Sequence, residues 1–396
     1  MSAVNESAAM DFREPEHIGM LRDSLRKFVA AEMPREAAQE WDRDDALPRV
    51  VFEKLAALGV CALTIPEEYG GSGRDIVAAM AVIEELSRRS LAVAVPYIMA
   101  ACYGGMNMMA AASERQKREY LPKLARGEIL FAYGLTEPDI GADLANVKTR
   151  VERRGDRLIV NGAKRFCTGA SVCDAIYTLA RSGDAADKYK NLSFVLIPPS
   201  TSGVTVTQMD GIGMRGATLC DVTFDDVELP LGNLVGEEAG WNQGWPLLAG
   251  PALDVEKLEV AAMALGLATA ALDDAWDYAQ SREQFGVKIG AHQPVRHSLA
   301  ECRTKLAAAR LVLQQAAWLA NGNRPCGVES SMAKLFVCEV AEEVVLASQR
   351  VMGAYGCVRG VDMERYVRDI LVFNIAGGSS WIQKNNIANR LGLKRK

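Results

Sequence analysis

From Phe131 to about Leu234 apolar residues recur at every second position, while on both sides of that stretch they recur every three to four. A period of two suits a pleated strand and a period near 3.6 suits a helix. The chain therefore reads as an α+β multi-domain protein with a β part inserted between two helical parts. Strand candidates are Ala175 to Ala180, Leu192 to Ile197, Val204 to Gln208 and Val222 to Leu229, and Asn161-Gly162 within RLIVNGAKRF is a hairpin signal. Short strands parted by turn residues predict an antiparallel barrel or sandwich. The expected domains are 1–130 (helical), 131–236 (β) and 237–396 (a four-helix-type bundle).

In the first part, Ile18, Leu21, Leu25 and Phe28 share one helical face, and Val51, Leu55 and Leu58 share another. A proline and three glycines between Ile65 and Gly73 predict a loop. Ile76 to Ala111 is mostly apolar, broken by the charged patch Glu84 to Arg89, and two helices meeting near Pro96 are expected. In the last part, Leu258, Ala262, Leu265, Thr269, Leu272, Trp276 and Ala279 mark one stripe. Val295, Leu299, Cys302, Leu306, Ala309 and Leu313 mark a second, which Asn321-Gly322 stops. A third helix is expected from about Glu329 to Met352, ending at Gly353, and a last one from near Ser380. Apolar faces on such a bundle predict an oligomer.

Composition narrows the classes. With 49% hydrophobic and 24% charged residues and a net charge of −5, the chain has no electrostatic footprint for nucleic acid. No apolar run is read as long enough to span a membrane. The N-terminus, MSAVNESAAMDFREPEH, lacks the basic and apolar regions of a secretory signal. Nine dispersed cysteines predict reduced thiols and a cytoplasmic protein, and His17, His292 and His297 form no metal-ligand spacing.

The junction between the first two parts reads YGLTEPDIGAD, Tyr133 to Asp143, a turn-rich loop in which Thr136 and nearby N–H groups are suited to the edge of a planar heterocycle. It resembles the first signature of the acyl-CoA dehydrogenase family, and the helix–β–helix order resembles that family's layout. Four further stretches agree in order: KRFCTGA (Lys164 to Ala170), SREQFG (Ser281 to Gly286), SQRVMGAYG (Ser348 to Gly356), and ERYVRD with IAGGSSWIQ (Glu364 to Gln383). The resemblance runs from about His17 to Leu393.

What the resemblance implies is specific. Tyr133, Leu135, Thr136, Phe166 and Thr168 would surround the ring of one FAD, with Ala142 and Ser379 at other parts of the cofactor. Arg282, Gln284, Phe285, Gln293, Gln349 and Gly353 would complete the FAD site of a neighbouring subunit, so a homotetramer is expected. Ala142 replaces a family serine at the pyrophosphate, and Phe166 replaces a tryptophan. The family's usual catalytic glutamate is also absent, since Gly377 stands there and retains only its backbone N–H. PALDVEKL, Pro251 to Leu258, resembles the segment from which isovaleryl-CoA dehydrogenase supplies its base, which makes Glu256 the expected base. Asp254, Lys257 and Gly378 are the expected substrate contacts. Asp254 and Glu259 also fit a plainer role as solvated carboxylates near a helix start.

The chemistry so implied is α,β-dehydrogenation of an acyl-CoA thioester. It needs a carboxylate at the α carbon, a hydride acceptor at the β carbon and donors to the thioester oxygen. The expected acceptor of electrons is an electron-transferring flavoprotein. The alternative is a non-oxidative or reductive relative, an acyl-CoA desulfinase or an enoyl-CoA reductase, on the same flavin site. Leu91 to Met106 holds no lysine or arginine, which predicts an uncharged, branched or bulky acyl group.

Overall fold

The computed structural model describes residues 14–393, so most of the N-terminal stretch tested above for a secretory signal lies outside the described residues. The first part holds α1 (Glu16–Glu32), α2 (Arg35–Asp44), α3 (Arg49–Ala56), α4 (Ile76–Ser87), α5 (Leu91–Ile98), α6 (Asn107–Ala111) and α7 (Glu114–Ala125). The break in the long apolar stretch falls at Arg88 to Ser90, not at Pro96. Ser90 is the reason, because its hydroxyl accepts the Ala92 N–H at 3.2 Å and starts α5 afresh. Pro96 is carried inside α5, and the chain continues as a π-helical segment, Met99–Met106, into α6. The run Leu91–Ala111 is in fact long and apolar enough to cross a membrane, contrary to the sequence reading, but 94% of its apolar window is buried inside the fold.

The middle part holds β1 (Phe131–Gly134), β2 (Arg150–Arg154), β3 (Arg157–Lys164), β4 (Ala175–Arg181), β5 (Leu192–Ile197), β6 (Val204–Gln208) and β7 (Cys220–Pro230). Their order is β1-β4-β2-β3-β7-β6, with β5 also on β4. The sheet is mixed: β4 pairs in parallel with β1 and with the start of β2, and the other pairings are antiparallel. Asn161-Gly162 is not a turn. The β2–β3 hairpin turns at Gly155-Asp156, and Gly162 instead marks a bulge where the register with β7 shifts. Its φ is +143°, and a β carbon there would lie 2.6 Å from Thr149 Cα, so the sheet's close approach requires glycine.

The last part holds α8 (Gly244–Leu248), α9 (Pro251–Ser281), the two-residue strands β8 (Glu283–Gln284) and β9 (Val287–Lys288), α10 (Gln293–Asn321), α11 (Gly327–Met352), α12 (Asp362–Ile370) and α13 (Ser380–Arg390). α9 is the central element, packed by α10, α11, α12 and α4. Its stripe Leu258, Ala262, Leu265, Leu272 and Ala279 is buried, whereas Trp276 is partly exposed beneath the Arg303 guanidinium. α9 thus joins the first and last parts through one continuous core, and it carries the candidate base near its N-terminal end.

Candidate active site

The loop after β1 is held from below by a buried ion pair. Lys164 Nζ, fully buried at the end of β3, donates to Glu137 Oε1 at 2.8 Å and to the Leu135 carbonyl at 3.0 Å. The Glu137 carboxylate also accepts the N–H groups of Lys148 and Thr149. Burial alone would raise the Glu137 carboxyl; the Lys164 ammonium and these N–H groups outweigh it and hold it below the usual range. The first two signatures, far apart in sequence, are therefore fastened together. The Thr136 carbonyl accepts from the Arg165 N–H at 2.8 Å, which brings Leu135 and Thr136 beside Phe166 and Thr168.

This surface fits a flavin ring. Phe166 is 52% exposed at φ +60°, a costly backbone state for an aromatic residue, held by its neighbours. The Thr136 and Thr168 hydroxyls make no hydrogen bond among the described residues and are half-buried. Tyr133 is engaged on its own side: its hydroxyl accepts from Asn107 Nδ2 at 2.7 Å, and its ring meets Tyr103 at a tilt and Tyr177 edge-to-face. Ala142 is exposed on the loop.

α9 and the segment before α13 bring the second group together. Glu256 is half-buried, and its Oε2 is shielded from solvent without a hydrogen-bond partner. Loss of hydration pushes this carboxyl up to about 7, with the Lys257 ammonium pulling the other way. One turn along α9, Val260 lies against Gly377. The Gly377 N–H makes no hydrogen bond among the described residues, and the carbonyls of Gly377 and Gly378 accept from Gln383 Nε2 at 3.2 and 2.9 Å. A carboxylate with a shielded, unpaired oxygen thus stands one helical turn from the residue that packs on Gly377. Asp254 and Lys257 occupy each other instead, at 2.6 Å, and Arg390 adds a second cation to Asp254. Glu259 is not solvated, being only 2% exposed.

The expected cross-subunit group lies at the far end of α9. Arg282, Gln284 and Gln293 are exposed, Arg282 lies over the Tyr355 ring, and Phe285 is 93% exposed at φ +52°. Gln349 is engaged with Cys357 Sγ and the Gly356 carbonyl. Gly353 ends α11 at φ +60°, and Ser379 sits at the N-cap of α13 without a capping bond. Sequence reasoning singled out neither Tyr103 nor Cys102 and gave Glu259 only a solvated role; all three stand around Glu256. After burial, the charge of Glu256 is the next influence raising the phenols of Tyr103 and Tyr133. Their signal was a polar residue recurring within an apolar helical run.

Comparison with known proteins agrees across the whole chain. Family models described as acyl-CoA dehydrogenase N-terminal, middle and C-terminal domains match residues 15–128, 132–227 and 242–392. A probable acyl-CoA dehydrogenase of Bacillus subtilis is 32% identical, over 96% of this chain and 100% of its own. A subunit of the caffeyl-CoA reductase–Etf complex of Acetobacterium woodii is 31% identical, over 94% and 97%. The solved structure of a glutaryl-coenzyme A dehydrogenase with glutaryl-CoA superposes with a TM-score of 0.92 at 30% identity, covering 97% of this chain and 98% of that one.

Proposed function

The chain belongs to the acyl-CoA dehydrogenase family, whose members are FAD-dependent oxidoreductases acting on CH–CH bonds, and from that premise we propose that it oxidises an uncharged, branched or bulky acyl-CoA to its 2,3-enoyl thioester. The observation that carries this reading is Glu256, a half-buried carboxylate whose solvent-shielded Oε2 is unpaired, one helical turn from the residue packed on Gly377.

Glu256 takes the α proton. Its raised pKa near 7 suits a base that must be ionised at neutral pH yet return the proton later. The Gly377 N–H donates to the thioester oxygen, where negative charge grows as the proton leaves. Lys257, bonded to Asp254, fixes the first turns of α9 beneath Glu256. Leu135, Thr136, Phe166 and Thr168 would hold the FAD ring, which when bound supplies the acceptor for hydride from the β carbon.

Two arginines open to an acidic substrate by sequence are engaged elsewhere, Arg88 with Asp273 and Arg215 with Asp210, and Arg89 stands 3.9 Å from the buried Asp362 carboxylate. This supports an uncharged acyl group, unlike that of the glutaryl-CoA relative. The reductase–Etf relative supports an Etf-type flavoprotein as electron partner and keeps open a reductive direction through the same residues. The test is anaerobic titration of the FAD-loaded protein with acyl-CoAs. Bleaching by isovaleryl-CoA faster than by glutaryl-CoA is expected. Bleaching by neither, with reoxidation of the reduced protein by enoyl-CoAs, would favour the reductive reading.

A further inference from the structure

We propose that a cavity of about 240 Å³, bounded by α1, α4, α9 and α12, is a second binding site, for a small molecule carrying one carboxylate. It is separate from the reacting centre: none of its lining residues is among those placed at the flavin or the thioester.

Four arginines line it, Arg26, Arg35, Arg88 and Arg89, and the first three are occupied. Arg26 donates to Glu85 at 3.0 Å, Arg35 to Asp274 at 2.7 and 2.5 Å, and Arg88 to Asp273 at 2.9 Å. Arg89 differs. Among the described residues its guanidinium meets only the Asp362 carboxylate, at 3.9 Å, beyond hydrogen-bond reach. That carboxylate is already taken, since it accepts from Arg35 at 2.6 Å and from Gln39 at 3.0 Å. The Arg89 Nε is shielded from solvent and unpaired. On the α12 side of the cavity stands Tyr366, fully buried, with an unpaired hydroxyl. Buried polar groups in a purely structural role nearly always find partners, because an unpaired one is costly. A phenylalanine would fill position 366 without that cost. Two orphan donors on one cavity mark a missing acceptor.

The chemistry of that acceptor follows from the two donors. The guanidinium is a permanent cation. Burial, and then the negative charges of Asp274 and Asp362, push the Tyr366 phenol above its usual range, so it keeps its proton at neutral pH. A guanidinium matches the fork of a carboxylate or a phosphate. The cavity's own charge chooses between them. Its four arginines face four acids, Glu85, Asp273, Asp274 and the exposed Asp277, so no surplus of positive charge is present to hold a dianion. A carboxylate brings one charge and can accept from both donors. The volume lies below the ~300–1,000 Å³ usual for drug-sized ligands, so the rest of the molecule is small.

Isobutyrate is the probe. Saturation-transfer NMR on the FAD-loaded protein reads its binding, with S-butyl-CoA, an unreactive thioether, present throughout to fill the acyl site. Isobutyrate should bind saturably, more tightly than inorganic phosphate and at least about tenfold more tightly than neutral isobutyramide, the least that one charge-assisted hydrogen bond supplies. Arg89→Met should abolish the preference over the amide, and Tyr366→Phe should weaken isobutyrate about fivefold. No saturable binding, equal binding of acid and amide, or tighter binding of phosphate would overturn the proposal. So would a preference that persists in Arg89→Met or, if that variant does not fold, wild-type affinity in Tyr366→Phe. In carboxylate-free buffer Tyr366→Phe should melt no lower than the wild type; a lower melting point would show that the phenol already has a partner and would equally overturn it.

Discussion

Val260 blocks the space that a side chain at position 377 would need: a β carbon on Gly377 would lie 2.8 Å from Val260 Cγ2, and Gly377 sits at φ +62°. The site is thus shaped around the absence of a side chain there. Glu256→Gln should bind FAD and acyl-CoA but lose at least about 100-fold in the rate of flavin bleaching. Moving the carboxylate to the family's usual position is then not a single step. Glu256→Gln with Gly377→Glu should stay inactive, whereas adding Val260→Ala should recover measurable bleaching in stopped-flow. Recovery in the double variant without the Val260 change would show that the helix yields more easily than its packing implies.

The pH dependence has a definite sign. The base must be ionised in the free protein, so kcat/KM should fall tenfold per unit below about pH 7 and level off above it. Stability runs the other way. A carboxyl raised in the folded state contributes stability fully below its unfolded pKa, and that contribution is lost as pH rises through about 7. Glu256→Gln should therefore match the wild type in denaturant near pH 4 and exceed it at pH 8, by at most about 3 kcal/mol.

Lys164 and Glu137 make a prediction about the cofactor loop. Lys164→Met leaves a buried carboxylate without its cation, which should cost about 3 kcal/mol or more in urea unfolding. The same variant should release FAD more readily on dilution, because the Leu135 carbonyl loses its tether to Lys164. Unchanged stability with unchanged flavin retention would mean that the backbone N–H groups of Lys148 and Thr149 hold Glu137 alone.

The exposed ring of Phe285 and the free guanidinium end of Arg282 predict an assembly-dependent cofactor site. Phe285→Ala and Arg282→Ala should each lower flavin content while leaving the far-ultraviolet circular dichroism unchanged. Sedimentation of the wild type should show a tetramer, or at least a dimer. A monomer with a full complement of flavin would refute the shared site.

Much of this was legible in the sequence because periodicity reports burial. The strands Leu192–Ile197 and Val204–Gln208, and the stop at Asn321-Gly322, stand where the apolar pattern and turn chemistry put them. The misread places are those where one residue type serves two uses. Asn-Gly signals a hairpin locally, yet Gly162 is needed for close approach to Thr149, a tertiary fact. Proline signals a break, yet Ser90 supplies a better one nearby. At the site, Glu256 was legible from the resemblance and from the missing acid at Gly377. Glu259 was not, because a carboxylate in the early turns of a helix looks solvated until the opposing wall is in place. Asp254 and Lys257, the expected substrate contacts, are paired with each other in the structure, which the sequence does not show.

α9 runs unbroken from Pro251 to Ser281. Glu256 near one end and Arg282 just past the other are separated along it by roughly 39 Å, at 1.5 Å per residue. In the proposed assembly the base serves one subunit's cofactor and the arginine serves the next. The helix is then a stiff rod with a foot in each of two reaction chambers. A shift of α9 along its axis cannot adjust one chamber without disturbing the other, so substitutions that tune the acyl pocket through this helix carry a penalty in the neighbour's grip on its flavin.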